Sequence, residues 1–267
     1  MSVHTLIIRT IFLFLMTWSV PGLSKPVKIG VTIHPYRLMV EALAPPADTA
    51  VTTTMLIPEQ ADPHSFMLRP SDLRTLLSVD RIIWSGPHLE PHLARALERM
   101  PQEKVLVLTP EDGPTHFWLS PSQTLRQLEI LADQLGLPVL PGIKTELEKK
   151  EAELAATLLQ LKRTHIEVWA FHPFLDALEK DFGFNYHTLT SGDHGLSSDK
   201  LRNLESTSAN RCLVVEPEWS GLSRKPSLAR HFQVIMPVDP LFRQASSLKE
   251  IYIQLIDTFR ACMKKGG

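Results

Sequence analysis

The chain alternates short apolar runs with longer stretches of helical periodicity. The apolar runs are rich in β-branched residues and end at Gly, Pro or polar clusters, which predicts strands at residues 27–33, 51–57, 81–84, 104–108, 166–171, 211–215 and 232–236. The stretches between them predict helices at residues 36–44, from about 71, at about 88–100, and at 121–136, 143–165 and 174–182. Because parallel strands need crossovers of this length, the pattern predicts an α/β protein with mainly parallel sheets.

The longest predicted helix, residues 143–165, separates two halves of this pattern. It contains no Gly or Pro, and its apolar positions form one stripe. An ordinary surface helix and a strut between domains both fit that stripe. The position of the helix favours two (β/α) lobes joined by one long linker helix, and we expect an N-terminal lobe at 25–137, a linker at 138–165 and a C-terminal lobe at 166–267.

The first residues have the pattern of a secretory signal. Arg9 precedes the apolar run 11–18, and small residues follow up to Ser24, which predicts a signal peptide at 1–24. A membrane anchor is the alternative, but the run is shorter than the roughly 20 residues that span a bilayer. No cysteine lies near the predicted cleavage site. We therefore expect a soluble periplasmic protein without a lipid anchor.

Composition narrows the classes of partner. The net charge of −1 provides no basic field for nucleic acid, while 43% hydrophobic and 21% charged residues suit a globular protein of one large or two small domains. Cys212 and Cys262 are the only cysteines. In an oxidising compartment such a pair favours a disulfide over free thiols, which would remove both as metal ligands.

Three histidines and one aspartate occupy matching places in the pattern. His64, His116 and His172 each lie beyond a predicted strand and before a predicted helix, and Asp239 follows the last strand. Open α/β sheets bind ligands at the carboxyl ends of their strands, so facing lobes would bring these side chains into one cleft. Imidazoles with a single carboxylate suit zinc better than calcium or magnesium. For His172, the dipole of the helix predicted at 174–182 would disfavour the cationic imidazole.

The motifs around these residues resemble the zinc-uptake solute-binding proteins of bacterial ATP-driven metal importers. The resemblance covers nearly all of the mature chain and rests on several segments in combination. They are Asp62-Pro63-His64 with residues 68–72, residues 83–86 with Glu90, residues 116–121, residues 168–172 with 182–183, Glu216-Pro217, and Asp239-Pro240-Leu241.

The resemblance implies a monomeric carrier of Zn²⁺ with its metal between two lobes and a membrane permease, driven by a cytoplasmic ATPase, as its partner. It implies His64, His116 and His172 as ligands, with Asp239, another carboxylate or water in the fourth position. His172 indicates zinc, because manganese-binding relatives commonly have glutamate there. Cys212 and Cys262 fall where zinc-binding members carry a disulfide.

One feature of many zinc-binding members is absent. Their long loop rich in histidine and acidic residues is represented here by residues 109–115, whose acidic residues are Glu111 and Asp112. A metal-gathering loop is therefore not expected, although the main site is unaffected.

Several alternative functions fit the sequence, and the remaining histidines need an interpretation of their own. A manganese or other divalent-metal carrier of the same family, a zinc chaperone without a membrane partner, and an exported zinc hydrolase are the alternatives. No motif supplies the general base of a hydrolase, so we expect no enzyme. His88 and His92 fit a solvated helix start, whereas His187 and His194 flank a loop signal and could line the rim of the cleft.

Overall fold

The computed structural model describes residues 25–44, 51–109, 113–190, 196–206 and 210–265. The predicted signal peptide, Glu111, Asp112 and His194 lie outside these ranges. In the described part of the chain, no helix combines the length and apolar character needed to cross a membrane.

Two four-stranded parallel sheets, one in each lobe, form the framework. The first has the order β2-β1-β3-β4, and the second repeats it as β6-β5-β7-β8. The strands are β1 Val27–Val31, β2 Val51–Met55, β3 Arg81–Trp84, β4 Val105–Val107, β5 Glu167–Ala170, β6 His187–Thr188, β7 Arg211–Val215 and β8 Val234–Pro237. In each sheet the order reverses beside the first strand, which creates the switch point where such sheets bind ligands. The predicted two-lobe α/β fold is confirmed.

Helices cover the sheets, and many of them have a proline in their first turn. Proline is tolerated there because the first backbone N–H groups of a helix have no partner within the helix. Left-handed Gly136 and Gly183 end two helices, with φ of 66° and 58°. The helices are α1 His34–Leu43, α2 Pro70–Ser78, α3 Pro91–Leu97, α4 Pro121–Leu135, α5 Pro141–Arg163, α6 Asp176–Phe182, α7 Ser198–Ser206, α8 Ser220–Ser223, α9 Pro226–Ala229 and α10 Leu248–Lys265. Short 3₁₀ turns occur at Gln102–Lys104, Phe117–Leu119 and Pro217–Trp219.

The linker helix α5 joins the lobes, as predicted. Its 23 residues span about 34 Å at the usual helical rise. The stripe formed by Leu147, Leu154, Leu158 and Leu161 is buried in a hydrophobic cluster that contains residues of both lobes. Helix α10 packs along α5 and also contacts α1. The lobes are therefore connected by a packed pair of helices.

The boundaries of several elements differ from the predicted ones for local reasons. The helix expected at about 88–100 is only Pro91–Leu97, because residues before Pro91 form a turn in which the Glu90 side chain accepts from Ser85 N–H at 2.7 Å. The two-residue strand β6 was not predicted, since it is too short to show periodicity, and helix α7 was also missed.

The predicted disulfide is present. Cys212 in β7 is bonded to Cys262 in α10, with a Cα–Cα distance of 5.6 Å, and both residues are fully buried. The bond ties the last helix to the second sheet.

Candidate metal centre

Three histidines meet in the cleft between the lobes. One ligand atom from each of His64, His116 and His172 lies within 4.8 Å of the others, and the ring centroids are 5.5–6.3 Å apart. Within the described ranges, they are the sole such cluster of three or more His, Cys, Asp or Glu residues. They line a cavity of about 250 Å³.

A short turn after β2 sets the position of His64. The carboxylate of Asp62 accepts from the His64 backbone N–H at 3.0 Å and from the Ser65 hydroxyl at 2.8 Å. An aspartate that bonds the backbone two residues onward stabilises a tight turn. The Asp62-Pro63-His64 motif therefore serves to project the histidine into the cleft.

The second histidine is held by residues of both lobes. His116 precedes the 3₁₀ turn Phe117–Leu119, its side chain is only 5% exposed, and its ring lies edge-on to Trp118 at 5.3 Å. Asp176, at the start of α6 in the other lobe, accepts from Thr115 N–H at 2.6 Å. Its other oxygen is 3.7 Å from His116 Nδ1, which is too long for a hydrogen bond. The position of His116 thus depends on how the lobes are docked.

The third histidine has a buried carboxylate behind it. His172 follows β5, and its Nδ1 lies 2.6 Å from Oε1 of Glu216, a residue with no exposed surface. A neutral imidazole that donates through Nδ1 presents the lone pair of Nε2 to a metal. The helix-dipole argument made for His172 was wrong, because α6 begins at Asp176 and the dipole acts only within the first turn. The contact with Glu216 favours the tautomer that carries its proton on Nδ1.

The predicted fourth ligand, Asp239, lines the same cavity but is not part of the three-histidine cluster. Its Oδ1 accepts from Leu241 N–H and from Arg243 Nη1, each at 3.0 Å, and its Oδ2 accepts from Arg243 N–H at 3.0 Å. Both oxygens of the Asp239 carboxylate therefore already accept hydrogen bonds, and its role as a metal ligand stays a prediction.

Comparisons with known proteins show which sequences and folds this chain is similar to. The sequence profile of the family described as "ZnuA: Zinc-uptake complex component A periplasmic" matches residues 29–137. The high-affinity zinc uptake system protein ZnuA of Haemophilus ducreyi is 24% identical, over an alignment that covers 87% of this chain and 92% of the relative. The periplasmic zinc-binding protein TroA of Treponema pallidum has the same fold, with a TM-score of 0.72, 17% identity, and coverage of 89% of this chain and 99% of TroA.

The chain resembles the ZnuA-type solute-binding proteins. The family is one of metal-binding proteins and not of enzymes. Its fold is shared by proteins solved with other metals: FpvC of Pseudomonas aeruginosa, solved with Mn²⁺, has a TM-score of 0.69 at 18% identity, with coverage of 91% of this chain and all of FpvC. Fold alone therefore does not select the metal in a ZnuA-like chain.

Among the residues that the structure describes, no other histidine lines the three-histidine cavity. His88 and His92 are exposed near the start of α3. His187, also exposed, lies in β6 with its ring 4.6 Å from that of Trp169. His34 was not considered from the sequence; it is buried in α1, and its Nε2 lies 2.8 Å from the carbonyl of Ala245 in the other lobe.

Sequence reasoning named Glu216 only as a motif residue and gave Asp176 no role. Each of these acids is far along the chain from the histidine it supports. A strand end followed by Glu-Pro was the available signal for Glu216.

Proposed function

We propose that this protein is a periplasmic solute-binding protein that captures Zn²⁺ and delivers it to the permease of an ATP-driven importer. The observation that carries the proposal is the convergence of His64, His116 and His172 within 4.8 Å in the cavity between the lobes. The family likeness supports the transport role, and the pattern of residues 1–24 supports export.

The ligand types favour zinc over manganese. Zinc binds imidazole nitrogen at about 2.0–2.1 Å, whereas manganese prefers sites richer in oxygen. In a tetrahedral zinc site of that size the nitrogens would be about 3.3 Å apart, so a 4.8 Å separation has to shrink by at most about 1.5 Å. Rotation of side chains and small movements of the loops that carry His64 and His172 can supply this change.

The surrounding carboxylates support a carrier and not a hydrolase. A zinc hydrolase needs a general base that can reach the zinc-bound water. Glu216 is hydrogen-bonded to His172, and both oxygens of Asp239 are hydrogen-bonded within its own turn. Neither acid is available as a base while it holds these contacts, whereas capture and release need no base.

A competitive zinc titration of metal-stripped protein tests the binding step. Replacing His64, His116 or His172 by Ala should weaken binding by orders of magnitude, about a hundredfold or more, since each removes one of three protein ligands. The His88→Ala variant removes an exposed histidine outside the cavity and should match the wild type. Unchanged affinity in His116→Ala would refute the site.

Delivery is tested in cells. A strain that lacks this protein should grow poorly when zinc is chelated, and the wild-type gene, but not the His116→Ala gene, should restore growth. Restoration by wild type in a strain that also lacks the permease of the zinc importer would favour a zinc chaperone over an importer component. Retention of the protein in the cytoplasm after fractionation would contradict the proposed location.

A further inference from the structure

The Asp239 carboxylate is enclosed by the turn to which it belongs. Two backbone N–H groups and the guanidinium of Arg243 donate to it, each at 3.0 Å. The side chains of Asp239 and Arg243 are only 21% and 16% exposed. A charge-assisted hydrogen bond in a partly buried setting is stronger than one in water. A cation that binds Oδ1 therefore has to compete with Arg243, and the positive charge of the guanidinium also opposes a cation at Oδ2.

Arg243 also connects this turn to the other lobe. Its Nη2 donates to the carbonyl of Ala61 at 3.3 Å, in the loop that leads to His64. The turn has two further contacts with the N-terminal lobe: Trp118 Nε1 donates to the Pro240 carbonyl at 2.7 Å, and His34 Nε2 bonds the Ala245 carbonyl at 2.8 Å. Since these do not involve the Arg243 side chain, the turn should remain docked when that side chain is shortened.

We propose that Arg243 determines metal selectivity by keeping Asp239 out of the coordination sphere, an inference that rests on the proposed zinc site. With Asp239 held by Arg243, the cavity offers a metal three imidazoles and no free carboxylate from this turn. Zinc binds imidazole nitrogen well, whereas manganese depends more on oxygen ligands. The ion pair between Arg243 and Asp239 therefore favours Zn²⁺, because it withholds an oxygen ligand on which Mn²⁺ depends.

A double-mutant cycle on the full mature chain tests this inference. Affinities for Zn²⁺ and Mn²⁺ are measured by competition titration in the wild type, Arg243→Gln, Asp239→Asn and the double variant. Freeing Asp239 in Arg243→Gln should raise Mn²⁺ affinity by about tenfold or more, and Zn²⁺ affinity by less, because a charge-assisted contact no longer has to be broken. The double variant should lose that gain. Asp239→Asn alone should change Zn²⁺ affinity by less than about tenfold.

Arg260→Gln is the matched control. It removes an arginine from the exposed pair with Asp257 on α10 and should leave both affinities unchanged. Thermal melting checks that each variant is folded. If Arg243→Gln is unfolded, Arg243→Lys is measured instead. Lysine cannot contact Asp239 and Ala61 at once as the guanidinium does, so the Mn²⁺-to-Zn²⁺ affinity ratio has to change in the same direction.

The outcomes distinguish failure of the role proposed for Arg243 from failure of the proposed zinc-binding function. A Mn²⁺-to-Zn²⁺ affinity ratio that changes by less than about twofold in Arg243→Gln, or a gain that persists in the double variant, would overturn the role of Arg243. In either case, wild-type zinc binding that depends on His116 would leave the proposed function standing. Absence of zinc binding in the wild type would defeat both.

Discussion

The contact between Glu216 and His172 gives the sharpest single prediction about the site. Glu216→Gln replaces a fully buried carboxylate by a neutral amide of nearly the same shape. At 2.6 Å from His172 Nδ1, the carboxylate makes a short hydrogen bond that fixes both the ring orientation and the tautomer. The amide can still accept through its oxygen, but it lacks the charge. If its NH₂ group faces Nδ1 instead, the wrong tautomer of His172 is favoured.

The structure sets the size of the effect. A hydrogen bond to a charged group is worth about 1.5–3 kcal/mol and a neutral one about 0.5–1.5 kcal/mol, so the loss is about 1–2 kcal/mol. At about 1.4 kcal/mol per factor of ten, zinc affinity should fall about five- to thirtyfold, which overlaps the range usual for residues that support metal ligands.

Competitive titration with a chromophoric zinc chelator measures this loss, and Glu90→Gln is the matched control. Glu90 is equally buried, but it bonds Ser85 N–H in the N-terminal lobe and contacts none of the three histidines in any described hydrogen bond. Its variant should bind zinc as the wild type does. A Glu216→Gln affinity within about twofold of wild type, with His172→Ala still inactive, would refute the reasoning about the tautomer.

Three further predictions concern stability and motion. Burial raises the pKa of Glu90 from 4.5 to about 7, so the folded state holds this proton more tightly than the unfolded state and loses stability as pH rises between these values. In Glu90→Gln this pH-dependent loss of about 3 kcal/mol in the free energy of unfolding should disappear. Urea unfolding from pH 4.5 to 8 measures it, and parallel curves for the two proteins would contradict it. Reducing the Cys212–Cys262 bond, whose partners are 50 residues apart, should cost about 4 kcal/mol on the chain-entropy estimate, and an unchanged unfolding midpoint would count against this. The packed α5 linker should permit only a small tilt on metal binding, so a contraction of several ångströms in the radius of gyration by small-angle scattering would show a flexible hinge instead.

The fold was predictable where the sequence pattern is long and local. Val51–Met55 is a run rich in β-branched residues, and Arg211–Val215 is a mainly apolar run that ends at Glu216-Pro217. The alternation of such strands with helices implies parallel pairing. The two-residue strand His187–Thr188 was not predictable, because its place in the sheet depends on pairing with β5 and not on its own pattern.

The candidate site was likewise predictable only in part. The convergence of the histidines followed from their places beyond strands, since parallel sheets collect such ends at one edge. The support of His172 by Glu216 depends on the pairing of β5 with β7, which the sequence does not specify. Arg243 and Asp239 are only four residues apart, but the contact of Arg243 with Ala61 joins residues 182 positions apart and depends on the docking of the lobes.

The metal content of protein isolated from the periplasm without added metal tests the central claim most directly. Elemental analysis should find close to one zinc ion per chain in the wild type and almost none in a variant with His64, His116 and His172 all replaced by Ala. Manganese as the main metal in the wild type, or equal zinc in the two proteins, would contradict the account.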